Sequence, residues 1–407
     1  MAVVTVLAVG GFGGCKGGNS DSGDTPRGKT GPAQRPSMES VARAVDGAPL
    51  LHWTGSWMVR GESVELDLRA MGDGDAMGTV ERDGDSAEVI VIDGNTVLLK
   101  GGRAYWRHGE AGSADVPRFA DRWVHVNGMV WGARLGELSP KALGRALLGV
   151  GSNLSGWDPG PAPGPIPSAV PSNALGFEVD SSVMPLKEGT YWVSAASGNR
   201  LAGYSGTDLP GSSADEGLDE ESPEKTVTFA VRTGSASEAE EAYTRMASEV
   251  RTMPETLPLA GADRDDLDVD AEPPWNGCRG GNCRVEVEVA NDLGPTMPST
   301  VEAVVRVTLY GDGGEGKKKA GTCTIRMPAA APERPAHDSC NVIDSRIEKI
   351  WNSSKPDCAP TECVKTTQWS TDANVTSIKG QVTVAPARLA AKLRARAKSA
   401  PTAPQKP

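Results

Sequence analysis

The sequence predicts two β-rich bodies. The first is α+β, an antiparallel meander that curls and is crossed by helices. The second is mainly β, sandwich-like and pinned by disulfides. Three observations carry this. Period-two alternation with Asp-Gly turns recurs between residues 62 and 107. Two later segments read as amphipathic helices. Six of the seven cysteines fall between positions 278 and 363, the home of the second body.

The totals set the frame. A chain of 407 residues with 38% hydrophobic and 23% charged residues has apolar content for two or three packed domains. Its 49 Gly and 30 Pro imply many turns and linkers. The net charge of −11, with no long basic stripe and no recognition-helix pattern, argues against a nucleic-acid partner.

The N-terminus comes first. Val3 to Gly14 is an apolar stretch of about a dozen residues, short of the roughly 20 a membrane span needs and matching a signal-peptide core. It runs into Phe12-Gly13-Gly14-Cys15, which resembles a bacterial lipobox, although Phe12 stands where Leu is usual and no Lys or Arg precedes the apolar run. Residues 1–15 are therefore expected to be a lipoprotein signal peptide, with Cys15 the lipid acceptor. Residues 16–36 are polar and Gly/Ser/Pro-rich, a flexible tether between a membrane and a folded body.

The first body is placed at 37–252. Ser37 is a plausible N-cap for a short helix with Val41, Ala42 and Val45 on one side. Glu62 to Arg69 then alternates, with Val64, Leu66 and Leu68 on one face and Glu65, Asp67 and Arg69 on the other. Strands are expected at Ala76–Arg82, Ala87–Ile92, Thr96–Lys100 and Arg103–Arg107, separated by "GDGD", "DGD", "DGN" and "GG". Alternation makes Val64, Leu66, Leu68, Val89, Val91, Val97 and Leu99 the inner-face, cavity-lining candidates. A short helix is expected over Val116–Trp123. Another starts at Pro140 behind Ser139, with Leu143, Leu147 and Leu148 on its apolar side. The Pro/Gly-rich insert at 150–174 offers no material for a core. Strands resume at Gly176–Asp180, Thr190–Ser194, Leu201–Tyr204 and Thr226–Arg232, and Ser235–Arg251 is an Ala/Glu-rich helix with Ala242, Met246 and Val250 at four-residue spacing.

The order "HWTGSWMV…VELDLRAMG…GTVERDG…AEVIVIDGNTVLLKGGRAYW…RWVHV" followed by a helix and "PLKEGTYWVSAASGNRLAGY" resembles the actinobacterial lipoproteins LppX, LprA, LprF and LprG over residues 37–250. The resemblance implies a LolA-like half-barrel of antiparallel strands closed by helices around an apolar cavity. It also implies a lipid or acyl-chain ligand and a role in moving it across the cell envelope. Trp53, Trp57, Trp106, Trp123, Trp131 and Trp192 all lie in this half and are read as ordinary core or rim residues.

Residues 253–274, with "ADRDDLDVDAEPP", read as an acidic linker; they lack the Gly and terminal Glu of a calcium loop. The second body spans 275–384. "CRVEVEVAND" places Val285, Val287 and Val289 on one face, "STVEAVVRVTLYGDGG" is a longer strand, and "GTCTIRMP", "DSCNVID", "ECVKTTQWS" and "VTSIKGQVTV" are further strands. Asp344 caps a short helix with Ile347, Ile350 and Trp351 on its buried side. Cys278, Cys283, Cys323, Cys340, Cys358 and Cys363 permit fifteen connectivities. Sequence-local pairing (278 with 283, 323 with 340, 358 with 363) is the simplest. "CRGGNC" and "CAPTEC" are each C-x4-C, the rival zinc reading, which the missing His pair and the export signal disfavour. Disulfides belong to oxidising compartments, so this reading predicts export to the outer face of the cytoplasmic membrane.

No catalytic signature appears. His52, His108, His125 and His337 form no metal-protease pattern, and there is no nucleophile elbow, P-loop or dinucleotide fingerprint. The expectation is a non-enzyme without cofactor or metal, whose second body contacts a protein partner. His52 and His125 read as sheet residues. The tail at 385–407, with Arg388, Lys392, Arg394, Arg396, Lys398 and Lys406 and no acid, is read as disordered, with a basic helix against anionic lipid heads as the alternative.

Overall fold

In a computed structural model, residues 37–399 are described, except 60, 73, 109–114, 128–129, 152–165, 169, 180–185, 187, 195–199, 208–226, 261–266, 274–277, 279, 292–298, 313–315, 332–333, 354–355, 359–362 and 366. The expected signal peptide, Cys15 and tether lie outside the described residues. The fold is mixed α and β, dominated by one fourteen-stranded, largely antiparallel sheet.

The chain enters through α1 (Met38–Asp46), capped reciprocally by Ser37 and Ser40. Five strands then pair in sequence: β1 (Leu50–Val59), β2 (Glu62–Met71), β3 (Asp75–Arg82), β4 (Asp85–Ile92) and β5 (Thr96–Gly101). The Asp-Gly pairs set this register. Asp83 and Gly84, and Asp93 and Gly94, all adopt positive φ, which matches the twist of two-residue hairpins.

The chain at 103–107 is not a strand. Tyr105–His108 is a 3-10 turn, η1, in which the consecutive Tyr105 and Trp106 are both buried. A strand would have sent one of them to each face. The expected helix over 116–123 is a single turn, α2 (Val116–Phe119), followed by β6 (Val124–Asn127) beside β5. A 3-10 turn, η2 (Leu135–Leu138), leads into α3 (Pro140–Gly151). Leu143 and Leu147 are buried there but Leu148 is exposed, because it lies one residue off their four-residue stripe.

The antiparallel run continues on the other side of β1 through β7 (Leu175–Val179), β8 (Gly189–Ser194), β9 (Arg200–Gly206) and β10 (Val227–Gly234), in the order β7-β8-β9-β10-β1. The insert contributes to packing after all. Val170 and Ala174 are buried against Trp192 and Ala202, since a few apolar residues can fold back even where prolines prevent regular structure. α4 (Ala236–Thr252) follows, capped by Ser235 and Glu238, with Ala242, Met246 and Val250 buried.

The segment read as an acidic linker carries two strands. β11 (Thr256–Ala260) pairs in parallel with β6, and β12 (Leu267–Glu272) alternates its acids outward. The main sheet therefore runs on through β11 into β19 (Gln368–Thr383), β14 (Ser299–Asp312) and β15 (Lys317–Ala330). A second layer, β12 with β13 (Asn282–Asn291) and β16 (Ala336–Ile343), lies over these strands. Val285, Val287 and Val289 of β13 share a buried cluster with Val301, Ala303, Val305, Val307 and Leu309 of β14. That gives the sandwich-like packing of this region.

Among the described residues, two disulfides hold it. Cys278–Cys283 closes the start of β13, and Cys323–Cys340 ties β15 of the main sheet to β16 of the second layer. Cys358 and Cys363 face each other in the backbone register of β17 (Pro356–Cys358) and β18 (Cys363–Lys365), and their side chains lie outside the described residues. The Asp344 carboxylate accepts the Arg346 N–H at 2.9 Å and opens α5 (Ser345–Ser353), which buries Ile347 and Ile350 and leaves Trp351 only half-buried.

The basic tail, read as disordered, is helical over 386–399, and its remainder lies outside the described residues. α6 (Pro386–Ser399) packs along α4 and buries Ala390, Leu393 and Ala397. The alternation of small apolar residues with bases hides a stripe that is apolar only once α4 lies beside it.

Candidate ligand face of the antiparallel sheet

The first ten strands of the main sheet have two apolar faces, each covered by different helices. On one face stand all seven inner-face candidates: Val64, Leu66 and Leu68 of β2, Val89 and Val91 of β4, and Val97 and Leu99 of β5. Each is 3% exposed or less, and all belong to one cluster. Cross-strand register explains the grouping. Trp53 stands opposite Leu68, Trp57 opposite Val64, Leu66 opposite Val80, Val89 opposite Leu99 and Val91 opposite Val97. Burying such a row yields about 1.5–3 kcal/mol per side chain, so the face is a main source of stability.

The cover over this face is short and mostly irregular. It comprises Val41, Ala42 and Val45 of α1, Leu143 and Leu147 of α3, Tyr105 and Trp106 of η1, and the segment from Val130 to Leu138. The tryptophans fasten that cover through their polar edges. Trp53 donates its indole N–H to the Leu138 carbonyl at 3.0 Å, Trp57 donates to the Trp131 carbonyl at 3.2 Å, and Trp131 donates to the Tyr105 hydroxyl at 2.9 Å. The Arg82 guanidinium lies 4.1 Å from the Trp131 ring centroid and pairs with Glu62. Trp106 packs edge-on to Phe119, and its buried Nε1 has no hydrogen-bond partner among the described residues.

The opposite face meets α4 and α6. Leu50, Met71, Met77, Ile90, Ile92 and Leu98 pack there. Charge is concentrated at one end. Arg396 of α6 reaches both Asp75, which is 1% exposed, and Asp93, with Nη to Oδ distances of 2.6 Å. Lys392 joins Asp93 at 2.6 Å, and Tyr243 of α4 donates to Asp75. Burial pushes the Asp75 carboxyl above the ordinary carboxylate range, against the opposing pull of the Asp93 N–H and Arg396. Asp93 is held low by Lys392 and Arg396, which outweigh its partial burial.

The two sheet histidines differ. His52 Nε2 lies 2.8 Å from the Asp67 carboxylate. His125, buried in β6 between Leu98 and Leu259, has an orphaned Nδ1, and burial lowers its pKa to about 4. A cleft of about 630 Å³ is lined by Arg118, Arg122, Trp123, Met253, Leu257 and Gln381. It lies away from the seven inner-face residues. Among the described residues, no group of three His, Cys, Asp or Glu side chains could hold a metal ion, and no helix is long and apolar enough to cross a membrane.

Alternation along β2, β4 and β5 brings the seven candidates together. The Val130–Leu138 cover and the Tyr105 hydroxyl escape sequence reasoning. The signal there is a two-residue turn at Trp131-Gly132, and Trp is an unexpected residue for positive φ.

No family model matches the chain, and no curated protein matches it. Among solved structures, pT26-6p aligns over 85% of this chain and 68% of its own, at 8% identity and a TM-score of 0.17, a likeness too slight to carry any argument.

Proposed function

We propose that the protein is a non-enzymatic, exported envelope lipoprotein whose 37–252 body is a LolA-like half-barrel. It binds or carries an acyl ligand on the face capped by α1 and α3. One observation carries this reading. A wide, continuous apolar sheet face is roofed by two short helices and irregular segments rather than by a second sheet, so the roof can move without breaking strand pairs. The two disulfides support an oxidising, extracytoplasmic setting. A thioether lipid on Cys15 supplies the membrane anchor, and the sandwich-like region at 275–384 contacts a protein partner. The resemblance to LppX and LprG supports both the ligand class and the anchor.

Native mass spectrometry after gentle extraction from membranes tests the reading. A mass increment equal to a lipid or fatty acid is expected. Repeated preparations free of lipid, with no uptake of a fluorescent fatty acid, would sink it.

A second reading is favoured by the near-complete burial of the seven inner-face residues and the fully donated indoles of Trp53, Trp57 and Trp131. In it the interior is filled, and the protein acts as an interaction or sensor lipoprotein without cargo. The lipid-free outcome, together with a stable protein complex on crosslinking, selects it.

A further inference from the structure

The segment Val130–Leu138, a two-residue turn followed by η2, lies against the apolar face as a finger. Its base, Gly136, rests on the β4–β5 turn so closely that a methyl group there would come within 2.4 Å of the Gly94 backbone. Its C-terminal end is held where the Trp53 indole donates to the Leu138 carbonyl. Its tip is a two-residue turn. The Val130 N–H donates to the Ala133 carbonyl at 3.0 Å, and the Ala133 N–H to the Val130 carbonyl at 2.9 Å. Val130, Ala133, Leu135 and Leu138 are each 2% exposed or less, so the finger presents side chains to the face as an acyl chain would present methylenes.

The tip is held in an unfavourable conformation. Trp131 and Gly132 have φ of +50° and +78°. The first position of such a turn favours Asn, Asp or Gly, and a bulky aromatic at positive φ is an outlier. Conformations of this kind persist only when the surroundings over-determine them, and they cluster at ligand clamps and switches. The surroundings here are the Arg82 guanidinium over the ring, the Tyr105 hydroxyl on the indole N–H and the Trp57 indole on the Trp131 carbonyl. All three contacts involve side chains outside the finger. None requires a strand pair to break when the tip leaves.

We infer that Val130–Leu138 is a displaceable plug: it occupies the acyl site of the free protein and withdraws from the sheet face when a single-chain lipid enters. The inference rests on the acyl-ligand reading above. Withdrawal relaxes Trp131 and uncovers the Arg82–Glu62 pair where the tip lies. The Arg82 guanidinium loses the Trp131 ring but keeps Glu62 on Nε and Nη2, and it offers Nη1 to the carboxylate or phosphate head of the lipid, with the chain lying where Val130, Leu135 and Leu138 lay.

The test uses the full chain with oleate as probe. Hydrogen exchange is followed by mass spectrometry with and without oleate, and oleate affinity is measured for the wild type and for Trp131→Ala. The plug predicts faster exchange at residues 130–138 on oleate binding, with β4 and β5 unchanged or slower. It also predicts about tenfold tighter binding by Trp131→Ala, because the occupied state loses the Arg82 and Tyr105 contacts of the ring, while the Trp57 bond to the backbone carbonyl stays, and the open state gains population. If oleate binds while 130–138 stays protected, or Trp131→Ala binds no better, the plug is wrong and the acyl site stands. If neither protein binds oleate, both ideas fall. If Trp131→Ala does not fold, the wild-type exchange pattern still decides.

Discussion

Arg396→Met isolates the contact that holds the C-terminal helix. Asp75 is 1% exposed and receives the Asp93 N–H, the Tyr243 hydroxyl and the Arg396 guanidinium. Removing one partner from a buried pair costs about 3–5 kcal/mol because an uncompensated charge remains. Two neutral donors stay on Asp75 after the substitution, and Arg396 is 29% exposed to begin with. The expected loss therefore lies at or below the lower limit of that range, about 2–3 kcal/mol. The half-exposed Lys392–Asp93 contact adds little. The assay is a urea double-mutant cycle with Asp75→Asn. Asp75→Asn/Arg396→Met should recover much of the single-mutant loss, leaving a coupling of about 2 kcal/mol. A loss below about 1 kcal/mol for Arg396→Met, or a cycle additive within about 0.5 kcal/mol, would refute the view that this cluster fastens α6 to the sheet.

Other outcomes follow from the same geometry. His125 has a folded pKa of about 4 against an ordinary 6.5, so its neutral form is favoured by folding. That contribution is complete above pH 6.5 and is lost as pH falls toward 4, roughly 3 kcal/mol in all. Urea midpoints at pH 7 and pH 5 should converge in His125→Phe, and an unchanged slope would contradict the burial argument. Replacing Cys323 and Cys340 by Ala opens a 17-residue loop and should cost about 3 kcal/mol, against about 2 kcal/mol for the five-residue separation of Cys278 and Cys283. Equal losses on thermal melting would contradict the loop-length account. Gly136→Ala should destabilise by roughly 1–3 kcal/mol through its collision with Gly94. Cys15→Ser should release the protein from membranes on fractionation, and retention would place the anchor elsewhere.

Alternation alone determined β2, β4 and β5 and the side of each that faces inward, because a period of two leaves no choice once one face is apolar. Asp83-Gly84 and Asp93-Gly94 determined the hairpin register. Ser37, Ser235 and Asp344 marked helix starts, because the capping chemistry is local. Val285, Val287 and Val289 announced the buried face of β13 for the same reason.

Other features depend on what lies across space. The parallel pairing of Leu259 with His125 joins the first body to a segment that reads as a linker, and no local pattern specifies a partner more than a hundred residues away. α6 reads as a solvated basic tail until α4 supplies the surface for Ala390 and Leu393, and until Asp75 and Asp93 supply the counter-charge for Arg396. Tyr105 and Trp106 leave the strand pattern because both can be buried only in a turn. Trp131 takes a backbone conformation its own side chain disfavours, and contacts from Arg82, Trp57 and Tyr105 impose it. The sequence by itself determined the strands, their faces and their turns. Tertiary structure alone decided which faces meet, which charges are buried and what occupies the apolar face, because those energies belong to pairs of residues that the chain brings together only on folding.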